Sequence, residues 1–231
     1  RATLIGCVAL VGFAAGASAA EQKAVDLTKL AGWDIVVAPD ALPGEVYAAE
    51  EFRSMFVQAS GIELPIVTAT DRSERHVLIG TSKSLADSGL GFDTAAMGNE
   101  ELRIVVRDNV IAVAGGRPRG TLYGVYTFLE DYVGVRFLTA DHTHVPKLPA
   151  QAVVGPLERT YTPPLSFRWS YYGETNRSAM LAARLRVNTV GGDEKYGGTS
   201  GQSLISHTFG SQIPTSKYGQ EHPEYFALRD G

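Results

Sequence analysis

The sequence predicts an α/β fold: a mixed sheet with flanking helices, followed by the first βα units of an incomplete (β/α)8-type barrel. Three observations lead there. Short β-branched runs are interspersed with two stretches of helical period, the pattern of helices packed on a sheet. A run with Pro146, Pro149, Pro156, Pro163 and Pro164 then interrupts that pattern and has no period of its own. After it a strand-helix-strand succession begins again, and too few residues follow Pro164 to close a barrel of about 250 residues.

The elements follow in order. Arg1, the apolar run from Leu4 to Ala15 and the small residues Ala17, Ser18 and Ala19 have the charged, apolar and A-x-A regions of a signal peptide, so residues 1–19 stand outside the fold. The run is too short and too rich in Gly and Ala for a membrane span. An exported protein, periplasmic or extracellular, is expected. Lipidation at Cys7 is the competing reading, but most of the apolar run follows Cys7 where a lipobox needs it before. With no Met at its start, the chain is expected to lack residues at its N-terminus.

Asp34 to Val37 is a β-branched run ending before Pro39, which suits a buried strand. Pro43 then opens a helix whose stripe is Val46, Ala49, Phe52, Phe56 and Ala59, with Glu50, Glu51 and Arg53 on the wet side and Gly61 as its stop. Leu64–Thr68 and Val77–Ile79 read as strands. Leu102–Val106 and Val110–Ala114 flank Arg107, Asp108 and Asn109, a hairpin signal because Asp and Asn tolerate left-handed conformations. A second helix begins near Pro118, buries Leu122, Val125, Phe128, Leu129 and Tyr132, and stops at Gly134 before a strand over Val135–Leu138. Val145–Pro164 reads as a connector. Ser166–Tyr172, Ser178–Arg186 and Asn188–Val190 then read as strand, helix and strand.

Charge and cysteine content remove several functions. Lys and Arg number 21 against 25 Asp and Glu, a net charge of −4 without a basic stripe, so no nucleic-acid partner is expected. Cys7 is the one cysteine, which rules out a disulfide framework and zinc sites built on paired cysteines. His142 and His144 would share one side of a strand, but two ligands are too few for a metal, and neither metal nor cofactor is expected. His76 and His222 carry no signal. The glycines from Gly115 to Gly120, with Arg117 and Arg119, could hold an anion, yet they fit neither the P-loop nor the dinucleotide pattern and suit a tight strand-to-helix turn.

The run Val113, Ala114, Gly115, Gly116, Arg117, Pro118, Arg119, Gly120, Thr121, Leu122, Tyr123, Gly124, Val125 and Tyr126 continues through Phe128, Leu129, Glu130, Gly134, Val135, Arg136 and Phe137. It resembles the N-terminal domain that precedes the catalytic barrel in alpha-glucuronidases and, more distantly, in beta-hexosaminidases. His207, Thr208 and Phe209, then Ile213, Pro214, Lys217 and Tyr218, then Glu221 to Leu228 resemble the start of domain of unknown function 4838. With residues 1–19 read as a signal peptide and 145–164 as a linker, the resemblance implies an accessory α/β domain over 20–144 and the truncated start of a barrel-like domain over 165–231. It also implies a glycoside hydrolase acting on polysaccharide-derived glycans, uronylated ones among them, with carbohydrate as its partner. The alternative is a non-catalytic glycan-binding or structural module.

Glycoside hydrolysis needs two facing carboxyl groups, which in a barrel stand at the C-terminal ends of strands. Glu174 follows the strand ending at Tyr172, and Asp193 and Glu194 follow the strand ending at Val190, although all three also suit solvated loops. His207 is the candidate for donating to a sugar hydroxyl or moving a proton. Arg168 is the candidate carboxylate clamp for an acidic sugar, and Trp169 the candidate apolar face for a sugar ring; packing between domains is the other reading of both. The catalytic carboxylates themselves are expected beyond Gly231.

Overall fold

The computed structural model describes residues 22–201 and 208–227. Its strands are β1 (Val25–Asp26), β2 (Asp34–Val36), β3 (Ile66–Val67), β4 (His76–Ile79), β5 (Leu102–Arg107), β6 (Val110–Gly115), β7 (Arg136–Phe137), β8 (Thr143–His144), β9 (Val153–Val154) and β10 (Leu157–Tyr161). Six of them form one sheet in the order β10-β5-β6-β4-β2-β3. β3, β2, β4 and β6 run parallel, while β5 and β10 are antiparallel to their neighbours. The mixed sheet expected from the sequence is present.

Every residue of β2, β4 and β6 is buried, as parallel strands covered on both faces require. Alternate side chains serve the two faces. Ile35, Val77, Ile79, Ile111 and Val113 point into the larger core, whereas Val36, Leu78, Ala112 and Ala114 meet Leu85 and Leu90 on the other side. Two helices build the larger core: α1 (Pro43–Ser60) and α3 (Gly120–Phe128). The short α2 (Lys83–Asp87) carries Leu85 on the opposite face.

α1 buries Ala48, Ala49, Phe52, Met55, Phe56 and Ala59 and stops at Gly61, whose φ of +75° favours glycine. Val46 lies exposed, outside the stripe expected of it. Glu51, expected on the wet side, is buried, because the face beyond Phe52 is covered by a helix from much later in the chain. α3 passes into a π-helical turn over Leu129–Val133 and ends at Gly134. Asp108 and Asn109, at φ +51° and +62°, close the β5–β6 hairpin as a two-residue turn.

From Val135 onward the expected elements change. Val135–Leu138 yields only β7, which pairs with β8 and stays out of the main sheet. Val145–Pro164, read as a connector, contains β9, paired with β1, and β10, which adds the sixth strand against β5. An edge strand needs no apolar run: four of the five residues of β10 are exposed, and backbone bonds with the Glu158–Arg103 ion pair (2.7 Å) hold it. Ser166–Tyr172 and Asn188–Val190 form no strands. They do lie side by side, the N–H of Asn188 donating to the carbonyl of Arg168 (3.2 Å), but the Asn188 side chain takes the N–H of Arg168 (2.9 Å) where a ladder would use backbone. Between them the helix expected over Ser178–Arg186 is α5 (Ala179–Arg184), preceded by a short α4 (Gly173–Arg177) that the periodicity does not predict; Ser178 divides the two, and its hydroxyl accepts from the N–H of Leu181 (3.2 Å). No described helix is long and apolar enough to cross a membrane.

Candidate functional site

The glycine turn after β6 positions everything that follows. A side chain on Gly115 or Gly120 would lie 2.3 and 2.1 Å from the carbonyl oxygen of Glu101, and one on Gly116 would lie 1.9 Å from that of Gly98. None of the three has positive φ, so glycine is needed here for the close approach of two backbones. The turn's arginines are both engaged. Arg117 reaches the buried carboxylate of Glu45 (3.0 Å), whose Oε2 also accepts from the N–H of Leu42 at the start of α1 (2.9 Å).

Arg119 points into the junction between the sheet and residues 165–200. Its Nε donates to Glu100 (2.8 Å), Nη1 to the carbonyl of Gly197 (3.0 Å) and Nη2 to the hydroxyl of Ser200 (2.6 Å). Glu100 also accepts from Asn188 (2.8 Å) and pairs with Arg168 (2.7 Å). Burial alone would raise the Glu100 carboxyl; the hydrogen bonds from Arg168 and Asn188 and the charges of both arginines outweigh it and hold the group below the ordinary glutamate range. Arg168 is correspondingly pushed up, burial being outweighed by Glu100. Beside this group lies a cavity of about 310 Å³ that includes Glu100, Arg119, Thr162, Ser166 and Ser200 in its wall.

Two further arginines fasten α5 and its exit. Arg184 makes a two-pronged contact with Glu51 on α1 (2.8 and 2.9 Å) and lies over the ring of Phe137 (5.3 Å). Arg186 pairs with Glu130 (2.6 Å). Burial, then the charges of Glu51 and Tyr47, pushes the phenol of Tyr126 up in the same pocket.

The predicted site residues fall in different places. Arg168 is the most constrained: besides Glu100, its Nε donates to the carbonyl of Arg186 (2.7 Å), and its guanidinium lies over Tyr123. Trp169 is 42% exposed and packs against Tyr171 in a tilted pair, with ring centroids 4.6 Å apart and planes inclined by 33°. Glu174 is exposed; its Oε1 accepts from the N–H of Ala140 (3.0 Å), and Oε2 stands 4.0 Å from Arg177. Asp193 caps the short turn Glu194–Tyr196 by accepting from the N–H of Lys195 (3.0 Å). His207 lies outside the described residues. His142 and His144 are both exposed, and among the described residues no three His, Cys, Asp or Glu groups converge as metal ligands. Sequence reasoning missed Glu100 and Asn188, which carry no local pattern, and Tyr171 and Tyr172, whose signal was the aromatic run beginning at Trp169.

Residues 137–231 match the family model described as a domain of unknown function (DUF4838). No curated protein matches the chain. Among solved structures, the chain is similar to a family GH115 4-O-methyl-alpha-glucuronidase with specificity for decorated arabinogalactans, at 15% identity and a TM-score of 0.51, over 69% of this chain and 25% of that one. It is also similar to the GH20 beta-N-acetylhexosaminidase from Streptomyces coelicolor A3(2), at 15% identity and a TM-score of 0.45, over 73% of this chain and 31% of that one. The chain therefore spans about a quarter of the length of the glucuronidase, and the likeness is one of fold.

Proposed function

We propose that this chain is the front part of an exported carbohydrate-active protein, a glycoside hydrolase of polysaccharide-derived glycans, uronylated ones among them. Residues 20–161 form its accessory α/β domain, residues 165–231 begin its barrel-like domain, and the paired catalytic carboxylates lie beyond Gly231. The observation that carries this reading is the mixed-sheet domain it shares in fold with the GH115 glucuronidase, followed by the side-by-side segments at Arg168 and Asn188. The leader-like pattern of the sequence over residues 1–19 supports export.

The engagement of Glu174 with Ala140 and of Asp193 with its own turn supports a catalytic pair elsewhere. The same observation favours one alternative, a module that binds glycans without cleaving them. Incubating the full-length protein with a panel of uronylated and amino-sugar glycans separates the two. New reducing ends or free uronic acid are expected; binding by calorimetry without any release would sink the hydrolase and leave the binding module. Mass spectrometry of the exported form should find its N-terminus at Ala20, and a lipid on Cys7 would overturn that part.

A further inference from the structure

The smaller core, on the sheet face that α2 covers, changes character at one end. Val36 on β2 and Leu78 on β4 pack there; two residues earlier on the same face the cross-strand partners are Asp34 and His76, both buried. The imidazole lies between two acceptors. Its Nδ1 is 2.5 Å from Oδ1 of Asp34, and its Nε2 is 2.9 Å from the carbonyl oxygen of Arg72. A neutral ring has one N–H and serves one of them; only the imidazolium, with a donor on each nitrogen, satisfies both. The proton belongs to the ring and not to Asp34, whose other oxygen accepts from the Arg72 guanidinium.

The two acceptors belong to different parts of the domain. Asp34 is in the sheet, whereas Arg72 is in the segment 68–75 that joins β3 to β4. That segment is braced by Arg72 Nη1 on the carbonyl of Gly32 (3.0 Å) and Arg75 Nη2 on that of Ala31 (2.8 Å). Arg75 itself holds φ at +69°, a left-handed conformation that persists in an arginine only while its surroundings fix it. Beside the segment lies a cavity of about 370 Å³ bounded by Thr70, Ser73, His76, Leu78 and Ser84. We propose that His76 is a pH-operated latch on this segment. With both protons it ties the Arg72 carbonyl to the sheet. As pH rises, Nε2 gives its proton to water while Nδ1–H stays on the carboxylate; a bare nitrogen then faces a carbonyl oxygen, and the segment comes away from the sheet. The tie is present on the acid side and lost on the alkaline side. The charged groups around the ring are Asp34 from β2 and Asp71 and Arg72 from the segment, while Glu74 and Arg75 are engaged by Asn109 and Ala31. α2 brings Asp87 to the cavity with its partner Lys83, and β6 brings the apolar Val110. The latch goes beyond the glycan reading and does not depend on it.

Trypsin cleaves at the carbonyl that the latch holds, which makes the test direct. The rate of cleavage after Arg72 in the full chain is divided, at each pH, by the rate on a free peptide spanning residues 68–79. The quotient is expected to rise roughly tenfold from pH 6 to pH 9, as one charge-assisted hydrogen bond is lost. Asp34→Asn should abolish the rise, because the Asn amide donates to Nδ1 and a neutral ring keeps its Nε2–H on Arg72 at every pH. His76→Leu should be cleaved fast and without a pH slope. A flat or falling quotient in the wild type, or a rise that survives in either variant, would overturn the latch. Nitrogen NMR of the wild-type ring decides the matter even if neither variant folds: both nitrogens should carry protons at pH 6, and Nε2 should be bare by pH 9. A ring with one bare nitrogen at pH 6, or with both protons still in place at pH 9, overturns it as well.

Discussion

The sheet domain and the segment from 165 to 200 are held by different forces. In the first, Phe52, Phe56 and Phe128 pack in one apolar cluster with the strand side chains, and stability there scales with surface removed from water. In the second, α5 supplies Leu181 and Ala183 to that cluster, but its seat is defined by arginines on carboxylates: buried Arg184 on Glu51, and buried Arg119 with half-buried Arg168 on Glu100. Apolar contacts tolerate small rotations. A two-pronged guanidinium-carboxylate contact does not, so this junction trades strength of cohesion for a fixed orientation.

Breaking the apolar side should cost most. Phe52→Ala is expected to lower the stability of the whole protein by about 4 kcal/mol in urea unfolding, through lost burial and the cavity left. Next comes Glu51→Ala, which leaves the buried Arg184 charge without its partner and should cost about 3 kcal/mol. The comparison sharpens if Glu51→Met is combined with Arg184→Met: a pair valued for orientation more than for energy should return close to wild-type stability while proteolysis near Ser178 stays faster.

The Glu100 junction should respond to acid. Its carboxyl lies below the ordinary glutamate value of about 4.3, so its contribution is complete above that pH and disappears as pH falls through the lower, folded value. Wild-type stability should therefore fall more steeply than that of Glu100→Gln on acidification below about pH 4.3, and parallel curves from pH 6 down to pH 3 would refute it. The smallest effect is expected for Ser178→Ala, about 1 kcal/mol, from loss of the cap on α5. It should raise local proteolysis without altering the sheet domain's hydrogen exchange.

What could be read in advance follows the same division. Val77–Ile79, the β5–β6 hairpin and the α1 stripe announce themselves because periodicity and turn residues are local. Glu51 was misjudged because its partner stands 133 positions away, and no local pattern encodes that distance. β10 escaped notice for a different reason: an exposed edge strand has polar side chains, and only its backbone identifies it. At the candidate site the sequence offers Trp169 as an apolar face and Arg168 as a carboxylate clamp, but the commitment of Arg168 to Glu100 depends on a fold that brings residues 100, 119 and 168 together.

Both rims of the sheet have a consequence for handling the protein. β3 offers two residues at one rim, and β10 presents Glu158, Arg159 and Thr160 at the other, with Arg159 paired to Asp131. A short rim and a charged rim both discourage a foreign chain from docking alongside, so the sheet is closed to fibril-like growth at either end. Concentrated solutions of the folded domain should stay clear, and any clouding on storage would point to unfolding first.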